Sequence, residues 1–257
     1  YVFCGRHLLV SYLRTSNRGD ARHSWAILAL LVRFIREYWP QTRIVFRGDS
    51  HFSKPRLLAW CDRNQVDYIV GMARNQRLEA LAAPAMDKVR TYYEAHGHKL
   101  ASTFRFRYKA RSWHKPRWVV ARLEYGPQGP NPRFVISSRY DDGFKLYYEQ
   151  YCARGDMENR IKDQQLDLFA GRTSSTHWWT NQWRLILSGF AYTLFERLRV
   201  HLKNTPFERM SAGTLRLKLI KVGAVIIRNT RRIRVLMSDS YPHKNDLSAL
   251  VQRLVPQ

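Results

Sequence analysis

The sequence predicts an α/β protein built around a mixed sheet. From Val2 to Val70, short apolar segments typical of strands alternate with segments that carry apolar residues at helical spacing. A mixed sheet explains this order most simply. Between Phe104 and Ile136, aromatic and basic residues alternate in the manner of antiparallel strands. Hydrophobic residues make up 45% and aromatic residues 13% of the 257 residues, which excludes a disordered chain.

The first elements are a pair of strands and a helix. Strands are predicted at Val2–Cys4 and Leu8–Leu13, and a loop follows at Ser16–Asp20. His23–Tyr38 then carries apolar residues at helical spacing, and Pro40 ends this helix.

A second strand–helix–strand series follows. The apolar segment Arg43–Phe46 is predicted to be a buried strand that ends just before Asp49. Ser53 is a suitable N-cap and Pro55 suits the first turn of the next helix. Tyr68–Val70 forms the following strand.

The second half of the chain is predicted to be largely helical. Phe144–Leu168 and Trp178–Leu202 are both predicted helices. A β-hairpin around Asn229-Thr230 is predicted near the C-terminus, with Leu215–Leu219 and Ile233–Met237 as its arms. The pattern there is also compatible with a helix.

The charge balance indicates a polyanionic partner. The chain has 44 Lys and Arg residues against 20 Asp and Glu, a net charge of +24, and only 11 of the basic residues are lysine. Arginine grips phosphate oxygens through two parallel hydrogen bonds, so this excess favours nucleic acid. A basic surface exposed only to solvent is the alternative.

Cysteine usage and hydropathy exclude several protein classes. Cys4, Cys61 and Cys152 lie far apart, which argues against a zinc finger or disulfide framework and favours a reducing compartment. The longest apolar run, Trp25–Val32, is too short to cross a bilayer, so no membrane association is expected. The chain opens on a strand-like segment without an initiator methionine, from which we expect a fragment of a longer protein.

Asp49 is the first candidate for catalysis. It follows a predicted buried strand, and a carboxylate at that edge of a sheet is held rigidly while it meets solvent, as a Mg²⁺ ligand must. An aspartate that only stabilises a turn is the structural alternative.

The second candidate is a polar stripe on the predicted helix around Glu158. At 100° per residue, four side chains fall within about 60° of Tyr151. They are Arg154, Glu158, Lys162 and Gln165. A carboxylate between cations and a phenol suits metal-assisted phosphate chemistry. A solvated face with i,i+4 ion pairs explains the same spacing.

These motifs resemble a bacterial insertion-sequence transposase of the DDE type, from the group numbered thirteen-eighty in the insertion-sequence-four-like assemblage. The resemblance lies in Arg47-Gly-Asp-Ser-His-Phe52, in Val66-Asp-Tyr-Ile-Val-Gly-Met-Ala-Arg74-Asn, and in Tyr151, Arg154 and Glu158. The family helix has Lys seven residues after the Glu. This chain has Gln165 there, and Lys162 on the same face is the substitute.

The resemblance implies an RNase H-like fold over residues 1–257, with a β-rich insertion at 100–140. It implies that Mg²⁺ or Mn²⁺ is held by Asp49 and Glu158, with carboxyl carbons about 4–8 Å apart around paired metal ions. The family's first catalytic Asp lies on a strand upstream of those found here. The chain is therefore expected to be weak or inactive alone.

The resemblance also implies partners. Double-stranded DNA at transposon ends is the expected substrate, bound by a homodimer in the bacterial cytoplasm at the nucleoid. The expected DNA-contacting residues are Tyr151, Arg154, Asn159, Lys162 and Trp118. Trp118, like Trp113, is a candidate for stacking on a displaced base, with packing as the alternative.

Three other functions remain open from the sequence. One is a nuclease of the same fold that does not join strands. Another is a non-catalytic protein that retains DNA affinity. The third is an unrelated basic RNA-binding protein, against which the central Glu158 of the polar stripe argues.

Overall fold

The protein divides into two compact units. The computed structural model describes residues 1–15, 21 and 23–254. The sheet unit comprises Arg14–Gly155, and the helical unit comprises Tyr1–Leu13 together with Asp156–Gln257. The loop predicted at Ser16–Asp20 lies outside the described residues.

The described residues form strands, α-helices and shorter helical segments. The strands are β1 (Val2–Cys4), β2 (His7–Val10), β3 (Val45–Gly48), β4 (Asp67–Met72), β5 (Ser102–Tyr108), β6 (Arg117–Leu123), β7 (Tyr125–Gly126), β8 (Gly129–Pro130), β9 (Arg133–Ser137), β10 (Ala224–Arg228) and β11 (Ile233–Met237). The α-helices are α1 (Ser24–Tyr38), α2 (Pro55–Arg63), α3 (Gln76–His96), α4 (Gly155–Lys162), α5 (Trp178–His201), α6 (Ala212–Leu215) and α7 (Lys244–Leu254). Lys145–Tyr151, Asp163–Asp167 and Arg216–Ile220 are π-helical, and Ser50–Phe52 and Cys152–Arg154 are 3₁₀ turns.

A five-stranded mixed sheet forms the centre of the sheet unit. Its strand order is β3-β4-β9-β6-β5, with β3 at one edge. β3 and β4 are parallel, as their connection through α2 requires, and the other pairs are antiparallel. The predicted mixed α/β sheet is thus confirmed. The strands between residues 100 and 140 continue this sheet, because β9 pairs directly with β4.

Helices cover both faces of the sheet, and alternation along each strand decides which residue meets which helix. Val70 and Ile136 join a cluster on one face with side chains of α1, α2 and α3. Their neighbours Ile69 and Val135 point to the other face and pack against Leu146 of the π-helical segment. Apolar residues at consecutive positions are what a strand buried on both faces requires.

The sequence prediction missed α3. Asn75 caps this helix, since its side-chain oxygen accepts a hydrogen bond from the Leu78 amide at 3.0 Å. Gly97 ends it in the left-handed conformation with φ +69°, which glycine adopts without strain. Both residues are ordinary helix-boundary signals.

The helical unit is organised around α5. Tyr192 donates to the Arg6 carbonyl at 3.0 Å. Gln182 both accepts from the Leu13 amide at 2.6 Å and donates to the Ser11 carbonyl at 3.0 Å, which fixes the β1–β2 segment on this helix. A small apolar core at the end of α5 joins α6 and α7.

The C-terminal hairpin is confirmed, but one of its arms was assigned wrongly. β10 and β11 pair around the predicted turn at Asn229-Thr230. The first arm is Ala224–Arg228, whereas Leu215–Leu219 is helical. Leu215 and Leu219 lie four residues apart and both are buried in the apolar core, a spacing that one face of a helix provides.

Within residues 1–15, 21 and 23–254, no helix is long and apolar enough to cross a membrane.

Candidate active site

Asp49 occupies the carboxyl end of β3, where the sequence placed it. Its Oδ1 accepts a hydrogen bond from the His51 amide at 2.9 Å and starts the 3₁₀ turn Ser50–Phe52. The side chain keeps 38% of its surface exposed. Asp49 therefore does stabilise a turn, as the alternative interpretation states. This does not exclude a ligand role, because a carboxylate carries two oxygens and several lone pairs.

The Tyr151 hydroxyl lies against the backbone beside Asp49. It fills the space that a side chain on Gly71 would take: a Cβ at Gly71 would be 2.5 Å from Tyr151 Oη. The same Cβ would be 3.0 Å from the Ser50 nitrogen and 3.2 Å from the Asp49 carbonyl carbon. Gly71 thus allows the phenol to reach the end of β3.

Arg154 accompanies Tyr151. Its guanidinium carbon lies 5.6 Å from the centre of the Tyr151 ring. Burial raises the pKa of Tyr151, the hydrogen-bonded Arg154 opposes this shift, and the Asp49 charge adds to it. The phenol therefore stays protonated near neutral pH and can donate a hydrogen bond.

Tyr151 and Arg154 line an open cleft of about 480 Å³ in the sheet unit, and so does Ser50, the residue after Asp49. Three arginines line it: Arg74, Arg133 and Arg154. Arg74 follows β4 and donates to Asn131 Oδ1 at 2.5 Å. Arg47 of β3 donates to the Gln150 carbonyl at 2.8 Å, which ties the strand to the π-helical segment. The cleft is positive and has hydrogen-bond donors, and these are the properties that bind phosphate.

Sequence reasoning did not nominate Arg74 and Arg133 as site residues. Arg74 follows the buried strand that neighbours the Asp49 strand, and parallel strands end at the same sheet edge, so this signal was available. Arg133 begins β9, whose pairing with β4 joins distant parts of the sequence and is not visible in local pattern.

Glu158, Asn159 and Lys162 lie on α4 and are exposed. Two contacts inside the helical unit hold the helix that carries them. Arg160 donates to the Gly5 carbonyl. Asp163 pairs with the buried Arg199 at 2.6 Å.

The segment around Glu158 is helical, as predicted, but its helix type changes along the chain. The chain is π-helical over Lys145–Tyr151, forms a 3₁₀ turn at Cys152–Arg154, is α-helical over Gly155–Lys162, and is again π-helical over Asp163–Asp167. These helix types differ in residues per turn, so a single rotation of 100° per residue does not apply.

The two candidate stacking tryptophans differ. Trp113 is buried, packs edge-on against Tyr108 and has Arg117 over its ring, so for this residue the packing alternative is correct. Trp118 is half-buried on β6, with its ring centre 4.8 Å from that of Tyr140 and 4.9 Å from the Arg107 guanidinium carbon.

In the described part of the chain, no three side chains of His, Cys, Asp or Glu come together as a group that could hold a metal ion.

The comparison with protein families decides the identity. The family described as transposase DDE domain, group 1, matches residues 1–257. The chain belongs to this family. A comparison with curated proteins found no match. Membership makes this chain a transposase domain that acts on DNA, in a family that generally uses divalent metal ions. The mixed sheet flanked by helices is consistent with the RNase H-like fold of such domains.

Proposed function

We propose that the chain is the catalytic region of an insertion-sequence transposase of the group numbered thirteen-eighty. It would cut DNA at transposon ends and join them to a target. The observation that carries this proposal is a basic cleft that is lined by Tyr151 and Arg154 and lies next to Asp49 at the end of β3. A carboxylate next to phosphate-binding donors is the arrangement that metal-assisted phosphoryl transfer needs.

Arg154 and Tyr151 are proposed to hold a phosphate next to the bond that is cut. The guanidinium presents a planar set of donors, and the protonated phenol adds one more without bringing a competing negative charge. Arg74 and Arg133 line the same cleft and are proposed to hold the flanking backbone.

Mg²⁺ or Mn²⁺ is the proposed cofactor, held by Asp49 and Glu158. Carboxylate oxygens are the ligands that these cations prefer, and Asp49 is partly exposed at a rigid strand end, which fits such a role. A bound cation would polarise the scissile phosphate and lower the pKa of an attacking water.

The remaining assignments follow from the same proposal. Asn159 and Lys162 would contact DNA from α4, and Trp118 would stack on a displaced base. Residues 1–257 would form the catalytic domain, with 100–140 as its β-rich insertion. The protein would act as a homodimer on paired transposon ends, in the bacterial cytoplasm at the nucleoid.

The experiment that tests the metal site is Mn²⁺ binding measured by electron paramagnetic resonance. Asp49→Asn should weaken binding at least tenfold, and Glu158→Gln should do the same. Asp87→Asn, a change of the same kind on the exposed face of α3, is the control and should have no effect. Crystals soaked in Mn²⁺ should show one site that Asp49 and Glu158 share. Unchanged Mn²⁺ affinity in Asp49→Asn would show that Asp49 is not a metal ligand.

We further propose that residues 1–257 alone cut DNA only weakly. The family's two-metal chemistry uses three carboxylates, and two are assigned in this sequence. A longer polypeptide that supplies an Asp on a strand ahead of β1 should cut faster by orders of magnitude, and Glu158→Gln should then abolish cutting. Efficient Mg²⁺-dependent cleavage by residues 1–257 would show that another carboxylate completes the site.

A further inference from the structure

The β10–β11 hairpin is exposed on both faces. All ten residues of its two strands are exposed, with apolar side chains that range from 41% for Met237 to 69% for Ile226. An isolated two-stranded hairpin is only marginally stable in water. An apolar surface of this kind marks a contact with a partner.

The charge around the hairpin identifies the class of partner. Residues 209–238 contain eight Lys and Arg residues and no Asp or Glu. Four of the arginines lie at or beside the turn: Arg228, Arg231, Arg232 and Arg234. A segment with this charge is complementary to a polyanion.

The turn itself presents arginines. Asn229 Oδ1 accepts hydrogen bonds from the amides of Arg231 at 3.1 Å and Arg232 at 2.9 Å. The Asn229 amide donates to the Arg232 carbonyl at 3.1 Å and closes the loop. The amides of Asn229, Arg231 and Arg232 are thus satisfied within the turn, and both arginine side chains are exposed at the tip.

The register places arginine on both faces of the ribbon. Ile227 is opposite Arg234, and Arg228 is opposite Ile233. Cross-strand partners share a face and successive residues alternate, so Arg234 lies on one face and Arg228 on the other. The turn end of the hairpin therefore carries arginine on both faces, and the rest of the hairpin carries apolar side chains on both faces.

We propose that residues 224–237 form an arm that enters the minor groove of duplex DNA. Two-stranded ribbons enter either groove of duplex DNA, and proteins that enter the minor groove bend the duplex as they do so. Proteins that bind the minor groove use arginine to read its negative potential and apolar side chains to contact or part the base steps. Ile226 and Val235, opposite each other on one face, supply such apolar contacts. The inference rests on the proposed function only for the choice of duplex DNA as the polyanion.

The test is the salt dependence of duplex DNA binding by the Arg231→Ala, Arg232→Ala double variant, measured in EDTA so that no cleavage occurs. Each lost phosphate contact should lower the slope of log affinity against log salt by about 0.9. Two lost contacts should therefore change the ratio of wild-type to variant affinity by roughly tenfold between about 50 and 200 mM salt. Both residues are exposed, so the thermal midpoint should not change.

The matched control is Lys88→Ala, Arg90→Ala on α3, which removes the same two charges. Both of these residues are exposed, and Arg90 is already paired with Asp87 and Glu94. The control should leave the slope unchanged. An equal change of slope in both double variants would mean that net charge alone is measured, and it would overturn the proposal.

Three further measurements distinguish the minor groove of DNA from other partners that could occupy this surface. A dye that binds the minor groove should compete with the wild type for duplex DNA but not with the Arg231→Ala, Arg232→Ala variant. The loss of affinity that this double substitution causes should be smaller for duplex RNA, whose grooves have a different shape. Analytical ultracentrifugation without DNA tests a second copy as the occupant. If Ile226→Ser, Val235→Ser dissociates a dimer and the tip variant binds DNA with an unchanged slope, the hairpin is a contact between copies instead.

Failure of the proposal for the hairpin arm can be distinguished from failure of the proposed function. The arm is measured by binding in EDTA, whereas the active-site assignment is measured by Mn²⁺ affinity. Either result can be negative while the other is positive.

Discussion

Replacement of Gly71 by alanine tests the geometry of the candidate active site most directly. The new Cβ would lie 2.5 Å from Tyr151 Oη and 3.0 Å from the Ser50 nitrogen. Ordinary contact needs about 3.5 Å, so the phenol must retreat by about 1 Å. Overpacking of this kind typically costs about 1–3 kcal/mol of unfolding free energy.

A double-mutant cycle identifies the atom responsible. Tyr151→Phe removes the hydroxyl that the new methyl group would strike and leaves the ring in place. The cost of Gly71→Ala should then be smaller in the Tyr151→Phe background, with a coupling of about 1 kcal/mol between the two positions. Some cost should persist, because the Ser50 nitrogen is part of the backbone and cannot rotate away.

The assay is urea unfolding of the wild type, both single variants and the double variant. Gly223→Ala is the matched control, since a Cβ there would meet no atom within 4 Å. DNA binding should weaken in Gly71→Ala, because the displaced phenol no longer reaches the end of β3. Strictly additive costs, or Gly71→Ala as mild as the control, would refute the placement of Tyr151 beside Asp49.

Three other outcomes follow from the structure. Arg154→Ala should fold normally and weaken binding of duplex DNA ends in a gel-shift titration, and Arg154→Lys should restore binding only in part, because lysine lacks the planar fork. Unchanged binding in Arg154→Ala would contradict its phosphate role. Asp62→Ala should cost about 3–5 kcal/mol in urea unfolding, since it leaves the buried Arg117, 2.6 Å away, without its ion-pair partner. A cost below about 1 kcal/mol would mean that water reaches this pair. Burial, and then the Asp62 charge, raise the pKa of the Cys61 thiol from 9.0 to about 12. Because the pKa of Cys61 is raised in the folded state, it contributes stability that is present below pH 9 and is lost as pH rises toward 12. At pH 8, iodoacetamide should modify the exposed Cys4 long before the buried Cys61.

Local sequence pattern was sufficient to predict a strand or helix whose own residues carry the hydrophobic periodicity. The strand that ends at Asp49 and the helix that becomes α5 were both predicted from hydrophobic periodicity. Helix α3 was missed although Asn75 and Gly97 mark its ends, since Pro84 lies in its interior and proline there normally argues against a helix. Periodicity alone also assigned Leu215–Leu219 to a strand, because alternate leucines satisfy both patterns over five residues.

The candidate site could be predicted only in part, because its geometry depends on tertiary contacts. Asp49, Tyr151 and Arg154 were nominated from sequence, and they line or border one cleft. The role of Gly71 was not visible, since it depends on a side chain 80 positions later reaching the same space. The π-helical turns next to Tyr151 were equally hidden, because hydrophobic periodicity assumes 3.6 residues per turn.

The position of β3 in the sheet has a consequence for how a complete catalytic centre can be assembled. β3 forms an edge among the described strands, so the outer row of its backbone N–H and C=O groups is available to template another strand. A strand that docks there in the direction of β3 would deliver the residue at its own carboxyl end next to Asp49, because parallel neighbours finish at the same side of a sheet. The sheet thus has an attachment point at which a further polypeptide segment can supply a carboxylate to the cleft by main-chain hydrogen bonding alone.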